Sequence, residues 1–265
     1  MTEQELRDRF NPDGSQLRKA QLRMLELLMF IDKVCSENDI KYWLDAGTLL
    51  GAKRHGGFIP WDDDADICMP KEELKKFQNV FFEKYADSSY VLQCEDTDPG
   101  ALCPWVVLRD LKSEYLQDSD LHKKRRYRGL QVDIFPVEDD IHPRMHAWAA
   151  HLMKGCVFAP YDRKSMKWFR PFAGLAYRFL EKVIYPSFHL LSSGKKEFCM
   201  MSYGVPFNQV MKKTDLFPLG LIEFEGVAFR APKDVDAYLK CIYEDWSQIP
   251  SLDSIQTHNV DIIFY

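Results

Sequence analysis

Residues 44–70 read LDAGTLLGAKRHGGFIPWDDDADICMP, and the interpretation of the whole chain starts from this stretch. The apolar run that ends at Leu44 predicts a short strand, and Ala46-Gly47-Thr48 predicts a turn after it. Leu49–Lys53 then predicts a single helical turn. A glycine-containing loop leads from there to a cluster of acids. These are Asp62, Asp63, Asp64 and Asp66.

The clustered acids are too close together to stay charged without compensation. Such carboxylates repel one another, and each is costly to bury without a partner. Divalent cations are the usual compensation, because carboxylate oxygens suit hard ions such as Mg²⁺, Mn²⁺ or Ca²⁺. Asp64 and Asp66 alternate at the start of an apolar run, so strand geometry would point both to one face. Asp62 and Asp63 precede that run and are expected to shape the loop.

A second apolar run carries a single acid. Residues 130–136 read LQVDIFP, and Asp133 is the charged residue in it. A lone charge inside a buried strand is destabilising unless a partner compensates it. A metal ion shared with Asp64 and Asp66 would do so, and these three carboxylates form the candidate catalytic and metal-binding set. A solvated acidic turn that binds nothing is the alternative for the DDD cluster, and Asp133 argues against it.

The residues around these two motifs have clear periodicities. Helical spacing predicts a helix over Leu17–Asn38, with Ser15 as its N-cap, and a second helix over Lys71–Tyr85. Tyr90–Cys94 and Trp105–Leu111 predict strands. The catalytic motifs therefore lie among alternating helices and strands.

The composition fits a soluble globular protein. The chain has 265 residues, of which 46% are hydrophobic and 28% charged, and its net charge of -5 argues against a general nucleic-acid binder. Its seven cysteines never occur in C-x-x-C spacing, so neither a zinc site nor a disulfide framework is expected, and a reducing cytoplasm fits best. The N-terminus is charged and polar, so we expect no signal peptide. No apolar run is long enough to predict a spanning helix.

The order of these motifs resembles a known family. A Gly-Thr turn, a D-x-D strand and a third acid on a later strand resemble the nucleotidyltransferase fold shared with DNA polymerase beta. More narrowly, GTLLGAKRHGGFIPWDDDADI is similar to the LicD family of phosphocholine transferases, which also resembles the fukutin-related ribitol-phosphate transferases. The similarity is close over residues 17–77, recurs at GLQVDIFP (129–136) and returns more weakly at 224–246.

The resemblance implies a fold and a domain organisation. We expect an α/β (α+β) fold with a polymerase-beta-like mixed sheet, flanking helices and a helical C-terminal region. Residues 1–265 would form a single LicD-like nucleotidyltransferase domain, with a catalytic core over residues 16–140 and a mostly helical accessory region over residues 141–265. An FEG hairpin at 224–229 and the Asp245-Trp246 pair are expected to frame the nucleotide side of the site.

The resemblance also implies a reaction. The donor would be CDP-choline, the product CMP, and the acceptor a sugar hydroxyl of a surface glycan or glycolipid. Three carboxylates with two Mg²⁺ (or Mn²⁺) ions suit the attack of a hydroxyl on a phosphorus whose leaving group is a nucleotide. Two alternatives stay open. One is a transferase that uses another CDP-alcohol, such as CDP-ribitol or CDP-glycerol, and the other is a catalytically silent metal- or glycan-binding module.

Residues near the acids are expected to hold the donor. Gly47 and Thr48 would offer backbone N–H groups and a hydroxyl to phosphate oxygens at a helix start. Lys53, Arg54 and His55 follow closely and would hold the diphosphate.

Further candidates lie outside the central stretch. Arg109 aligns with substrate-facing residues of the family, and a surface salt bridge is the alternative for it. The basic run 122–128 is either a solvated loop or a screen for substrate phosphates. A quaternary ammonium is best held by aromatic faces, in which the neighbourhood is rich. These aromatics are Tyr42, Trp43, Trp61, Trp105, Tyr115 and Tyr127.

An apolar stripe over Trp168–Ile184 bears on location. It fits a core helix, which is the commoner outcome, and it also fits a helix that lies on an anionic membrane. The resemblance implies a lipid-linked glycan acceptor at the cytoplasmic face of a membrane. We therefore expect a cytoplasmic protein, with a weak peripheral contact at the inner face of the membrane as the second interpretation of the stripe.

Overall fold

The structure is a computed structural model, and it describes residues 2–117, 119–139, 141–191, 197–243, 245–251, 255 and 261–265. The strands are β1 Trp43–Leu44, β2 Asp66–Pro70, β3 Tyr90–Gln93, β4 Val106–Asp110, β5 Ser113–Leu116, β6 Gln131–Glu138, β7 Phe198–Met201, β8 Met211–Lys212, β9 Gly220–Phe224, β10 Val227–Ala231 and β11 Asp261–Phe264. The α-helices are α1 Glu3–Phe10, α2 Gln16–Glu37, α3 Ala46–His55, α4 Lys71–Lys84, α5 Asp120–Lys124, α6 Pro143–Met153, α7 Ala159–Asp162, α8 Arg170–Phe179, α9 Tyr185–Leu191, α10 Lys213–Leu216 and α11 Val235–Ile242.

A mixed sheet of seven strands organises the chain. Its main path runs β1-β2-β6-β4-β3, and β7 pairs with the end of β6 and with β8. The central pair β2 and β6 is parallel, while β1, β4 and β7 run antiparallel to their neighbours. Two smaller sheets pair β9 with β10 and β5 with β11. This mixed sheet with its helices confirms the predicted α+β class.

The predicted helices around the sheet are present. Ser15 caps α2, because its Oγ accepts a hydrogen bond from the Arg18 N–H at 3.1 Å. Helix α2 contacts α4 and β6, and α4 contacts β2 and β6, so the two helices cover the same face of the sheet. The predicted strands at 90–94 and 105–111 are observed as β3 and β4. Periodicity was sufficient here because each element buries one regular face.

Helix α3 is longer than the single turn predicted over 49–53. It includes the Gly-Thr dipeptide that we expected to form a turn, and it ends at Gly56, which adopts a left-handed conformation (φ 65°). The weak helix propensity of Gly47 and Thr48 is outweighed by tertiary contacts, since most of α3 is buried against β2 and β9. The basic run 122–128 is not a loop throughout, because its first three residues belong to α5.

The second half of the chain is helical over only part of its length. Residues 143–191, the helical layer, consist of α6 to α9 joined by a 3₁₀ turn (Lys164–Phe169) and two π turns (Lys154–Phe158 and Leu180–Ile184). From residue 198 onward the structure differs from the expected helical region, because apolar segments extend the main sheet as β7 and form the β9–β10 hairpin. The predicted domain boundaries themselves stay a prediction.

The helical layer has an apolar core of its own. Side chains from α6, α8 and the π turns pack on the segment around Leu102 and on Met200 of β7. The buried members are Leu102, Ile141, Ala149, Met153, Val157, Ala173, Tyr177, Leu180, Tyr185, Met200 and Tyr203. Among the described residues, no helix combines the length and the apolar character needed to cross a membrane.

Candidate active site

The parallel pairing of β2 with β6 sets two acids side by side. Asp66 is the register partner of Asp133, so their side chains leave the same face of the sheet. The Asp66 N–H donates to Thr48 Oγ1 at 2.8 Å, and the Asp133 N–H donates to the carbonyl of Ala65 at 2.9 Å. Asp133 is buried and Asp66 is half-buried. The backbone of both residues is therefore fixed by the sheet and by α3.

Asp64 reaches these two acids from a loop. Strand β2 begins at Asp66, two residues later than the predicted D-x-D strand. The preceding loop is tied to β5, because Tyr115 Oη donates to Asp63 Oδ2 at 2.7 Å. Asp64 and Asp66 nevertheless line the same two cavities. Asp64, which the sequence assigned to the strand, therefore reaches the site from the loop.

The carboxylates raise one another's pKa. Burial raises the pKa of Asp66 well above its ordinary value, and the charges of Asp64 and Asp133 add to the effect. The pKa of Asp133 is also raised by burial, against the opposing charge of Arg109. Burial and the charge of Asp64 raise the pKa of Asp62. Keeping these carboxylates ionised is therefore energetically unfavourable unless a cation or a proton compensates their charge.

The donor set suits a divalent cation in its chemistry. Oδ2 of Asp133 accepts a hydrogen bond from Gln131 Nε2 at 2.9 Å, whereas its Oδ1 is buried and makes no hydrogen bond of good geometry in the described part of the chain. The indole of Trp105 lies close enough to Asp133 to oppose the rise of its pKa. A buried carboxylate oxygen left in this way is the kind of atom that a hard cation compensates. Across the same residues, however, no three His, Cys, Asp or Glu side chains form a ready metal-ligand group. Binding a cation between Asp64, Asp66 and Asp133 therefore requires their side chains to rotate toward one another.

Two cavities meet at these acids. The aromatic lobe has a volume of about 370 Å³, and its apolar lining includes Trp105, Phe135, Met201, Phe207 and Met211. The outer lobe, of about 650 Å³, is lined on its far side by Arg54, Trp61, Asp245, Trp246 and Gln248. Asp64, Asp66 and Tyr243 line both lobes. The acids thus stand between an aromatic chamber and a more polar one.

Comparison with known families agrees with this arrangement. Residues 39–179, more than half of the chain, match the family described as LicD/FKTN/FKRP, nucleotidyltransferase domain. The chain belongs to the LicD family. The match includes Asp64, Asp66 and Asp133 and ends at the last residue of α8.

Curated relatives of this LicD-family chain match over shorter stretches. The lipopolysaccharide cholinephosphotransferase LicD of Haemophilus influenzae is 41% identical over 80 residues, which are 30% of this chain and 30% of that protein. The ribitol 5-phosphate transferase FKRP of Homo sapiens is 41% identical over 49 residues, 18% of this chain and 10% of that protein. An uncharacterised protein of Rickettsia prowazekii is 28% identical over 141 residues, 46% of this chain and 53% of that protein. By their names, the two characterised relatives transfer different groups.

The Gly-Thr dipeptide of the LicD-family chain lies beside the acids. Gly47 lines the outer lobe, and a Cβ at this position would lie 2.6 Å from Asp62 Oδ2. A larger residue at this position would displace the end of the Asp62 side chain, so Gly47 leaves room for the loop acid beside α3. Thr48 is buried, and its hydroxyl oxygen accepts from the Asp66 backbone rather than lining either lobe. Thr48 thus positions an acid of the site.

Arg54 is the basic residue of the predicted trio that lines a cavity. Its Nη1 donates to the carbonyls of Trp246 at 3.1 Å and Gln248 at 3.0 Å, which fixes the guanidinium at the wall of the outer lobe. Lys53 instead pairs with Asp236 at 3.1 Å and lies over the Trp246 ring, with Nζ 5.6 Å from its centroid. Lys53 therefore packs on Trp246, which lines the outer lobe, and does not line the lobe itself.

His55 is enclosed by protein and lines neither lobe. Its Nδ1 lies 2.5 Å from Glu3 Oε2 on α1, and its Nε2 accepts from Arg54 Nε at 2.9 Å. Burial lowers the pKa of His55, which favours the neutral ring. His55 therefore links α1 to Arg54. In this structure it does not reach the cavity in which a diphosphate is predicted to bind.

Arg109 is a fully buried arginine, so the alternative of a surface salt bridge is wrong. Its Nε donates to Gln93 Oε1 at 2.5 Å and its Nη1 to the carbonyl of Gly129 at 2.8 Å. Burial lowers its pKa to about 10. Arg109 lines neither lobe, and it bears on the site through the effect of its charge on Asp133. Sequence alone gave no sign that this strand would bury a guanidinium.

The sequence-based prediction missed Asp45. This acid is fully buried, lines the aromatic lobe, and accepts hydrogen bonds from Tyr238 Oη at 2.7 Å and Cys68 Sγ at 3.2 Å. Burial raises its pKa. Asp45 stands at the N-cap position of α3 but makes no capping side-chain bond. An acid directly after the buried strand β1 was the available signal.

The predicted FEG hairpin supports the site indirectly. Glu225, in the turn between β9 and β10, accepts from the Phe58 N–H at 3.1 Å and pairs with Arg18 at 2.7 Å. Its own N–H donates to the carbonyl of Gly56 at 2.9 Å. The hairpin therefore holds the loop that leads from α3 to the acids, while Asp245 and Trp246 line the outer lobe.

Proposed function

We propose that this chain transfers phosphocholine from CDP-choline to a sugar hydroxyl of a surface glycan or glycolipid, with CMP as the leaving group. The observation that carries the proposal is the register pairing of Asp66 with Asp133 between two cavities of different character. Family membership and similarity to a cholinephosphotransferase support it. We also infer that the mixed sheet is a polymerase-beta-like nucleotidyltransferase fold.

The two lobes suit the two ends of such a donor. The outer lobe offers the fixed guanidinium of Arg54 to phosphate oxygens and the rings of Trp61 and Trp246 to a base. The aromatic lobe offers Trp105 and Phe207, with acids at its mouth, which suits a quaternary ammonium. A donor bound across both would place its diphosphate at Asp64 and Asp66.

The metal requirement follows from the charge of the site. Asp64, Asp66 and Asp133 would hold Mg²⁺ or Mn²⁺, whose bound form neutralises phosphate charge and lowers the pKa of a coordinated hydroxyl. The raised pKa of Asp66 and the unpartnered Oδ1 of Asp133 support this assignment. Gln131 orients the other oxygen of Asp133. Arg109 sets the electrostatic environment of that acid from behind.

The chemical step is a substitution at phosphorus, and it needs no oxidant or reductant. The acceptor hydroxyl oxygen forms a bond to the phosphorus of phosphocholine as the bond from that phosphorus to the CMP oxygen breaks. CMP leaves with the electron pair of the broken bond. The hydroxyl proton passes to a carboxylate, either Asp133 or Asp64, as in general base catalysis.

The alternative donor is a CDP-alcohol other than CDP-choline. Similarity to the ribitol 5-phosphate transferase favours CDP-ribitol as the second candidate, and CDP-glycerol is a third. The aromatic lobe favours choline over these, because a polyol gains little from aromatic faces and needs hydrogen-bond partners. As for partners, we propose a glycan or lipid-linked oligosaccharide acceptor and no nucleic acid. We further propose a cytoplasmic location.

A donor panel tests the proposal. The protein is incubated with Mg²⁺ or Mn²⁺ and with CDP-choline, CDP-ribitol or CDP-glycerol, and CMP release is measured. We expect release from CDP-choline and little from the polyol donors. Phe207→Leu should raise the KM for CDP-choline more than it changes the release from the polyols, because Phe207 lines the aromatic lobe as well as the outer lobe. Preference for CDP-ribitol would replace the donor assignment, and no release from any donor would favour a catalytically silent binding module.

A further inference from the structure

One face of the helical layer is apolar and exposed. Five large side chains point to solvent at helical spacing, and they form what we call the outward stripe. These are Trp168 (71% exposed), Phe172 (53%), Leu175 (68%), Phe179 (54%) and Val183 (47%). The intervals of four, three, four and four residues place them on one side of the 3₁₀ turn, α8 and the second π turn. The core interpretation of the predicted stripe is therefore wrong for these five residues.

The segment that carries the outward stripe is already packed against the rest of the chain through its other side. The opposite side of the same segment already packs through Ala173, Tyr177 and Leu180 on the interior of the layer. Tyr177 Oη donates to the carbonyl of Cys103 at 2.8 Å, which ties the segment to the chain next to Trp105. The segment thus buries one apolar face and leaves a second one exposed.

Charge is segregated in the same layer. Residues 143–191 carry eight Lys and Arg against two Asp and Glu, a net charge of +6 in a chain whose net charge is -5. Lys164 and Lys167 stand just before Trp168, and Lys182 stands beside Val183. The Lys167 and Lys182 side chains are 52% and 66% exposed, and they lie 3.9 Å from Asp120 and 3.6 Å from Glu95. Such exposed ion pairs contribute little to stability, so the two lysines can still contact other anions. An apolar stripe edged by exposed lysines is typical of helices that lie in a lipid–water interface.

We propose that the outward stripe docks this chain on a membrane surface that contains anionic lipids. The rings and aliphatic side chains would enter the headgroup region, while the lysines would contact the anionic headgroups. A second copy of the chain is a poorer occupant, because a two-fold dimer through this face would bring the same cationic surface against itself. The inference rests on the proposed function only in giving the docking a purpose. The layer that carries the stripe contacts Cys103, two residues before Trp105 of the aromatic lobe.

Vesicle sedimentation tests the proposal without any nucleotide donor. The full chain is mixed with phosphatidylcholine vesicles, with and without phosphatidylglycerol, at low and high salt. We expect binding to the anionic vesicles at low salt and its loss at high salt, because salt screens the lysines. The double variant K164E/K167E should bind at least fivefold more weakly for each lysine, as an order-of-magnitude expectation. Trp168→Ser and Leu175→Ser should each weaken binding at low salt, because each removes apolar surface that would enter the headgroup region.

Matched controls keep the result interpretable. Leu221→Ser removes a side chain that is 65% exposed on β9, and Lys75→Glu reverses a lysine on α4 that is 58% exposed. Neither should change vesicle binding. Thermal unfolding of every variant establishes that it is folded, and Lys164→Glu offers a second test if an apolar variant does not fold. CMP release in solution, without vesicles, should be unchanged in the stripe variants.

Three outcomes would overturn the proposal. The first is no binding of the wild-type chain to anionic vesicles at low salt, and the second is equal weakening in the control and stripe variants. The third is a wild-type dimer in analytical ultracentrifugation that Leu175→Ser converts to a monomer, without vesicle binding. Because these assays contain no donor, they can fail while CMP release succeeds, and the reverse also holds.

Discussion

The central strand pair that carries the acids and the helical layer depart from the usual partition of polar and apolar groups in opposite directions. On the central strands, Asp66 and Asp133 are carboxylates largely withdrawn from water, and burial raises the pKa of both. In the layer, Trp168 and Leu175 are large apolar side chains left in water. Each departure is unfavourable in the isolated chain. We propose that a binding partner compensates each departure, a cation with phosphates at the acids and a lipid surface at the outward stripe.

The comparison separates two kinds of variant. On the central strands, removal of a charge should greatly lower CMP release without destabilising the fold, because binding and stability oppose each other there. On the outward stripe, removal of an apolar group should change neither the chemistry in solution nor the fold. The predictions below test these statements in order of decreasing effect.

The largest effect is expected at the acids. Asp64→Asn, Asp66→Asn and Asp133→Asn should each lower CMP release by about a hundredfold or more, since each removes a metal-binding charge or the base. In metal-free buffer at neutral pH, Asp66→Asn should unfold at the same temperature as the wild type or higher. The reason is that the raised pKa of Asp66 marks a charged form that folding disfavours.

Mg²⁺ separates this prediction from simple damage. The ion should raise the unfolding temperature of the wild type and not that of Asp133→Asn, because only an intact site binds it. The exposed Asp87→Asn serves as the control for loss of one negative charge. Near-normal CMP release by Asp133→Asn would show that the three-carboxylate site is wrong.

The second effect concerns His122 of α5, a helix that contacts the helical layer. His122 is buried, its Nε2 lies 2.8 Å from the carbonyl of Tyr115, and burial lowers its pKa from 6.5 to about 4. The unfolded chain therefore takes up this proton first, so stability is full above about pH 6.5 and falls as the pH drops toward 4. Allowing for solvent screening, the loss is about 1–2 kcal/mol.

Denaturant unfolding between pH 7 and 4 measures this loss. His122→Asn should show a shallower pH dependence than the wild type, with a residual slope from the other buried histidines, His55 and His146, whose pKa is also lowered. If the pH dependence of stability were unchanged in His122→Asn, protonation of His122 would not be a cause of the loss of stability.

The loop acids should matter less than the strand acids. Asp63 is engaged by Tyr115, and Asp62 lies at Gly47 and lines the outer lobe but not the aromatic lobe. Asp62→Asn and Asp63→Asn should therefore each lower CMP release by less than about tenfold. Asp63→Asn should have the smaller effect, because asparagine still accepts from the tyrosine. A loss at Asp62 equal to that of Asp66→Asn would show that the loop itself coordinates the cation.

The smallest effect is expected on the outward stripe. Leu175→Ser should change the free energy of unfolding by no more than about 0.5 kcal/mol, because the side chain gains no burial on folding. Leu180→Ala, one turn away but buried, should cost about 2–5 kcal/mol. Urea unfolding of both variants measures the difference. If Leu175→Ser were as costly as Leu180→Ala, the stripe would be part of a core.

Some elements of the fold could be predicted from local pattern. The helix behind β1, the helix after β2, the strands β3 and β4 and the FEG hairpin all follow from periodicity or turn residues, because each buries one regular face. The motif around the DDD cluster was specific enough to predict the family. Periodicity failed where an element depends on its partners, as in α3 and in the start of β2.

The sequence also could not tell which charged side chains would face a cavity. Arg54, His55 and Arg109 look alike as basic residues near a site. Arg54 lines the outer lobe because the carbonyls of Trp246 and Gln248, nearly two hundred positions away, hold it there. His55 is enclosed by Glu3 of a helix that the sequence did not predict, and Arg109 is enclosed by β3 and the turn at Gly129.

The sequence by itself determined the family and the α+β class, and it singled out three acids as the candidate site, because these inferences depend on residue types at short spacing. Tertiary structure alone decided that Asp66 and Asp133 are neighbours, since their approach depends on a parallel register across 67 residues of chain. It also decided which side of the apolar stripe is exposed. A helix with apolar residues on two sides can bury only the side that meets a partner, and the partner, here the segment around Leu102, comes from elsewhere in the fold.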